Sequence, residues 1–154
     1  MEIREDDPRR EGVSDLLREH LSDVRGASPP GHAHALGIEA LAAPAVTFWT
    51  AWVDDALVGC GALLELDDRH GEIKSMRAAT PHRRRGVGSF ILDHIVAEAR
   101  SRGYTRLSLE TGAQDHFAPA RTFYERHGFD YGEPFADYRA DPASVFMSRA
   151  LDDA

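Results

Sequence analysis

Residues 82 to 89, HRRRGVGS, set three arginines against two glycines one residue apart, with an apolar stretch directly after them. The chemistry this pattern suits is the holding of an anion. A helix start carries unpaired N–H groups and the positive end of the helix dipole. Glycines let a ligand approach that backbone closely, and arginines add charge and forked hydrogen bonds. Two familiar phosphate loops are excluded. No Gly-Lys-Ser or Gly-Lys-Thr occurs, and the glycine spacing is not Gly-x-Gly-x-x-Gly. A glycine-softened helix start with solvated arginines stays open as the plainer reading.

Other residues invite chemistry less strongly. Lys74 and Arg77 are charges inside a strand-like run, where buried charge needs a partner. They suit a carboxylate on a substrate, or an internal ion pair with one of the 26 acidic residues. His32 and His34 sit in the proline loop RGASPPGHAHALG. A His-x-His pair can hint at metal, but no further ligand spacing supports it, so no metal is expected and His34 stands as a candidate pocket residue. The turn at Asp141-Pro142 lies between Tyr138 and Phe146 and is a candidate far wall of the same pocket. Cys60, the one cysteine, lies in the apolar run LVGCGALLEL and reads as a small core residue rather than a nucleophile.

The elements that must position these groups follow from periodicity. MEIRED suits an edge strand, and Val13 to Val24 carries a helical apolar stripe. A short helix is expected near Ile38 to Ala42, stopped by Pro44. Strands are expected at 46–53, 57–66 and 72–78, with short turns between them that argue for an antiparallel meander. A helix should run from about 86 to 102, with Gly103 as its C′ residue. A strand at 105–112, a helix from Pro119 to His127 ended by Gly128, and closing strands near 129–135 and 145–150 complete the chain. The expected fold is α+β: a sheet of about seven strands, mostly antiparallel, with a central β-α-β crossover and helices on both faces.

The chain has 154 residues, enough for one domain over its whole length, and a net charge of -8. That balance argues against general nucleic-acid binding, so the arginines act locally. No apolar leader is visible in MEIREDDPRREG, and the longest nearly apolar run, Ala56 to Leu66, is too short to span a bilayer. A cytoplasmic setting without membrane contact is expected, consistent with a single cysteine.

Arg83-x-x-Gly86-x-Gly88 resembles the Gln/Arg-x-x-Gly-x-Gly/Ala signature of the GNAT superfamily of acyl-CoA-dependent N-acetyltransferases, and the expected element order is also that family's. The resemblance covers essentially the whole chain. It implies a bacterial-type acetyltransferase with acetyl-CoA as donor. Backbone at Arg83, Arg84, Arg85, Gly86, Val87, Gly88 and Ser89 would grip its pyrophosphate. Met76, Arg77 and Ala78 would pair with its pantetheine arm. The segment ARTFYERHGF resembles the family's Ala-x-x-Leu-Tyr-x-x-x-Gly-Phe pattern and makes Tyr124 the candidate acid. Many members carry asparagine seven residues before that tyrosine, whereas this chain has Phe117. Glu72, eleven residues before Arg83, matches the offset of a glutamate base in one branch of the superfamily.

Acetyl transfer to an amine makes two proton demands. An alkylamine, with a pKa of about 10, must lose a proton, and the departing thiolate must gain one. Tyr124 suits the second task and Glu72 the first, with Glu110 or water as rivals for the base. Glu110 shares its strand face with Ser108, and where its strand parts from that of Glu72 both carboxylates would look into one cleft. Lys74, Glu110, His34 and Tyr138 are the candidate acceptor-binding residues. The acceptor is expected to be a small primary amine, optionally bearing a carboxylate, attacked directly in a ternary complex. A protein lysine or N-terminal acetyltransferase and a non-catalytic acyl-CoA binder are the alternatives. Many folds of this kind pair as homodimers through their last strands, and that association is carried as an expectation.

Overall fold

The computed structural model describes residues 1–27, 37–79 and 86–151. Among them, strands β1 (Glu2–Glu5), β2 (Val46–Val53), β3 (Ala56–Asp67), β4 (His70–Ala78), β5 (Arg106–Gly112), β6 (Asp130–Gly132) and β7 (Ser144–Ala150) form one sheet. Its spatial order is β1-β2-β3-β4-β5-β7-β6. The helices are α1 (Val13–Ala27), α2 (Ile38–Leu41), α3 (Val87–Ser101) and α4 (Ala118–Arg126). This is the α+β architecture read from periodicity.

Strands β1 to β4 form the antiparallel part of the sheet that the short turns imply. Val53 pairs with Ala56 across Asp54-Asp55, and Asp54 takes a φ of +53°. That left-handed residue matches the twist that a two-residue hairpin demands. The second hairpin pairs Asp67 with His70. The strand therefore begins at His70, two residues earlier than expected, because the tight turn leaves no room for a longer loop.

The sheet is covered on both faces. On one, Val13, Leu16 and Leu17 of α1 pack with Leu41, Phe48, Cys60 and Ala62. On the other, Val87, Ile91, Leu92, Ile95, Val96 and Ala99 of α3 pack on Val58, Leu63, Ile73, Leu107, Leu109 and Met147. Gly61 makes the second contact close: a Cβ there would lie 2.7 Å from Met76 Sδ and 2.8 Å from Ile91 Cγ2. Gly103 and Gly128 follow α3 and α4 with φ of +82° and +85°, the left-handed stop that glycine permits.

The C-terminal half departs from a simple continuation. Strand β7 inserts between β5 and β6, pairing with β5 from Arg106↔Ala150 to Gly112↔Ser144. The first closing strand stops at Gly132, short of residue 135, because Pro134 has no N–H for the ladder and Ala136 adopts a φ of +51°. Residues 133–143 form a loop instead. A 3-10 turn, Asp115–Phe117, leads into α4. No helix among the described residues is long and apolar enough to cross a membrane.

Candidate active site

The site begins with an interruption in the sheet. Strands β4 and β5 run parallel but pair only at His70↔Arg106, Gly71↔Leu107 and Glu72↔Ser108. Beyond Glu72, β4 continues to Ala78 and β5 to Gly112 with no pairing between them. A bulge drives them apart. Between Ala62↔Lys74 and Cys60↔Arg77, β4 spends three steps on two of β3. Ser75 sits in that bulge with a φ of +55°. A bulge of this kind bends the strand and re-aims its side chains. Met76 and Ala78 pack toward the α3 cluster, while Arg77 reaches α1 on the opposite face.

On that opposite face, Glu72 and Lys74 are two residues apart and hence on one side of β4. Both are buried, at 2% and 9% exposure. Lys74 Nζ lies 3.2 Å from Glu72 Oε2. Tyr138, from the 133–143 loop, donates its hydroxyl to the same Oε2 at 2.6 Å and accepts from Lys74 Nζ at 2.8 Å. Burial and the neighbouring Glu72 carboxylate, with Glu110 beyond, push the Tyr138 hydroxyl far above the usual phenol range. Glu110 stands opposite Phe146 in the β5–β7 ladder. The Tyr138 ring packs on Phe135 and Phe146 with centroids 5.1 and 5.4 Å away. Glu72 is thus an internal carboxylate under an aromatic loop, not a solvated strand end.

The opposite side of the opening meets α3. Gly86 is its N-cap, with a φ of +81° and no side-chain hydrogen bond to the first turn. The first helical bond shown is Phe90 N–H to the Gly86 carbonyl, at 3.0 Å. The amides of Val87, Gly88 and Ser89 precede it, so the helix itself offers them no acceptor. A Cβ on Gly88 would come within 3.2 Å of the Phe123 ring, so this glycine also sets the approach of α4. Arg83, Arg84 and Arg85 lie outside the described residues, as do His32 and His34. An uncapped helix start beside a strand edge with unpaired backbone fits a diphosphate joined to an extended, amide-bearing arm.

Tyr124 comes from α4 and joins the α3-side cluster. Its ring meets Phe123 and Phe129 edge-on, with centroids 5.1 and 5.5 Å away. Burial in that apolar setting raises its hydroxyl well above the ordinary phenol value. The proton therefore stays on oxygen at neutral pH, as a proton donor requires. Phe117 packs on the end of β5: a Cβ on Gly112 would fall 2.1 Å from its ring.

The structure corrects one reading of the cations. Lys74 and Arg77 do not stand ready for a substrate carboxylate. Lys74 is ion-paired with Glu72, and Arg77 lies 2.6 Å from both Glu19 and Asp23 of α1. Burial of two guanidinium- or ammonium-bearing side chains demanded such partners, and α1 supplied a pair one helical turn apart. Cys60 is fully buried, its thiol pushed up to about 12 by burial, and Sγ donates to the Ser75 carbonyl at 3.3 Å. It is a core residue.

Two neighbours of the site, His70 and Ser148, escaped the sequence reading, as did their link to Ser108. His70 Nε2 lies 2.6 Å from Ser108 Oγ, which lies 2.7 Å from Ser148 Oγ. Their alternation along β4, β5 and β7 was visible, but not that β7 adjoins β5. Desolvation lowers the His70 pKa. Among the described residues no group of three or more His, Cys, Asp or Glu side chains is arranged to hold a metal ion.

Comparison with known proteins agrees with this geometry. The acetyltransferase (GNAT) family pattern matches residues 13–129. An uncharacterized N-acetyltransferase of Bacillus subtilis (strain 168) is 56% identical over 151 residues, covering 98% of this chain and 100% of its own. Among solved structures, a protein of Klebsiella pneumoniae subsp. pneumoniae MGH 78578 named as an acyl-CoA N-acyltransferase superposes with a TM-score of 0.78. It is 28% identical and covers 98% of this chain and 97% of that one. A GNAT family acetyltransferase from Elizabethkingia anophelis, solved with acetyl-CoA bound, shares the fold with a TM-score of 0.70 and 17% identity over 97% of each chain. The parted strands, the uncapped helix start and these matches lead to one assignment: the chain belongs to the GNAT family of N-acetyltransferases.

Proposed function

We propose that the protein transfers the acetyl group of acetyl-CoA to the primary amine of a small molecule, by direct attack in a ternary complex. The observation that carries this reading is the opening between β4 and β5, with an uncapped helix start at its edge and Glu72 and Tyr124 on opposite faces of the sheet. The donor's diphosphate would rest on the amides of Val87, Gly88 and Ser89, and its arm along Met76 to Ala78. Glu72 accepts the proton that the ammonium form of the acceptor must lose. Tyr124 holds the proton that the leaving sulfur takes up. The phenol is a weaker acid than the thiol it forms, so the transfer is uphill even at full charge on sulfur and proton donation comes late.

The aromatic loop closing over Glu72 favours a small acceptor over an extended peptide. Because Lys74 and Arg77 are engaged by carboxylates of the chain, the acceptor need not carry a carboxylate of its own. The test is an amine-library screen with acetyl-CoA, reading free thiol release. Turnover should appear with small amines and change little with salt, since a single ammonium charge gives far less screened long-range attraction than a basic peptide. A Kd for CoA with no turnover on any amine would replace this reading with that of a binding domain. Turnover confined to basic peptides, with a salt-sensitive KM, would replace it with that of a protein acetyltransferase.

A further inference from the structure

Glu72 is held unevenly. Both donors that reach it, Tyr138 OH and Lys74 Nζ, converge on Oε2. Among the described residues, none donates a hydrogen bond to Oε1. A carboxylate with one oxygen doubly bonded and the other open cannot rotate without breaking both bonds. Tyr138 is itself fixed from both sides. Its hydroxyl is shared between Glu72 and Lys74, and its ring packs on both Phe135 and Phe146. Those rings belong to the loop and to β7, so the lock spans three separate parts of the fold. Apart from Lys74, the titratable groups among the described residues that interact with this carboxylate are His70 on β4 and Tyr138 on the loop, and Glu110 on β5 acts on Tyr138.

We propose that Tyr138, with Lys74, is a positioning residue that locks Oε2 of Glu72 and so presents Oε1 to the acceptor's ammonium group. The inference rests on the proposed acetyl transfer with Glu72 as base. In the step concerned, an N–H bond of the ammonium breaks, its electron pair stays on nitrogen, and the proton bonds to Oε1. The freed pair then attacks the thioester carbonyl. Tyr138 gives up no proton; it fixes the direction from which the carboxylate accepts one. The loop 133–143 is on this account part of the catalytic apparatus and not merely a wall of the pocket.

The test compares acceptors that do and do not need deprotonation. Benzylamine is charged at pH 7, whereas O-benzylhydroxylamine, of nearly the same shape, is neutral there. Further pairs of primary amine and matching alkoxyamine extend the panel. Tyr138→Phe keeps the ring and its packing and removes only the hydroxyl. It should lower kcat/KM about tenfold for the charged amines, as expected for one lost hydrogen bond to a charged group. For the neutral alkoxyamines the change should be under about twofold, with the acetyl-CoA KM unaltered. Equal losses on both members of each pair, or no loss on either, would overturn the inference while leaving acetyl transfer standing. If Tyr138→Phe shifted the melting temperature by many degrees, the ratio between paired acceptors would still decide, because misfolding scales both rates alike. Wild-type protein without turnover on any member of the panel would refute the proposed function and this inference together.

Discussion

Tyr124→Phe separates catalysis from packing at one atom. Tyr124 belongs to the α3-side apolar cluster with its ring against Phe123 and Phe129, and burial alone drives its pKa upward. None of the described residues hydrogen-bonds its hydroxyl. The hydroxyl oxygen is not among the buried polar atoms left without a partner, so water can reach it and it carries no full desolvation cost. Removing it while keeping the ring and its packing should leave stability within about 0.5 kcal/mol. For a chain of 154 residues this holds Tm within about 2 °C. Catalysis should respond far more. A general acid contributes about 10²–10⁴-fold, and one whose proton is held this tightly belongs at the lower end, so kcat should fall about 10²-fold. The acetyl-CoA KM should change far less, because the hydroxyl acts on the leaving sulfur and not on the bound diphosphate. Thermal melting and thiol release on the same preparation read both effects. An unchanged kcat would remove Tyr124 as the acid. A Tm lowered by several degrees would mean that the hydroxyl has a partner in solution and that the energetic argument is wrong.

Glu72→Gln should lower kcat/KM for charged amines about 10²-fold and, by removing the charge that pairs with buried Lys74, cost about 3 kcal/mol of stability; an unchanged kcat/KM would pass the role to Glu110 or water. Ser75→Gly should raise stability by about 1 kcal/mol in urea unfolding, since Ser75 holds a left-handed φ and its buried Oγ has no hydrogen-bond partner among the described residues. Gly61→Ala should cost about 2 kcal/mol, because the new methyl would press on Met76 and Ile91. His20 is held down to about 4 by burial first and by the Arg77 guanidinium second. Below its unfolded value of about 6.5 the unfolded chain binds a proton that the folded chain refuses. Stability is thus complete above that pH and declines by about 3 kcal/mol as pH falls toward 4. Urea midpoints for His20→Gln that retained the same slope would exclude His20 as the cause.

Local structure was the legible part. The 46–53 strand, the α3 helix and the stops at Gly103 and Gly128 follow from periodicity and glycine, which act over a few residues. The pairing of Glu72 with Lys74 was implicit in their spacing on a strand. What joins them to Tyr138 was not, because it depends on β7 turning back between β5 and β6, a contact no local signal encodes. The bulge was equally hidden: serine has no preference for the left-handed region, so nothing at Ser75 announces one. Arg77 illustrates the same limit. Its charge showed that a partner was needed, but Glu19 and Asp23 lie more than fifty residues earlier.

The seam of three residue pairs between β4 and β5 also bears on mechanics. It divides the sheet into two leaves that share a short spine and a common backing in α3. Amide protons along the parted edges should exchange with solvent sooner than those in either leaf's interior. An extended molecule lodged in the cleft would supply the missing rungs, so the protein should be stiffest while loaded and regain its compliance as product departs.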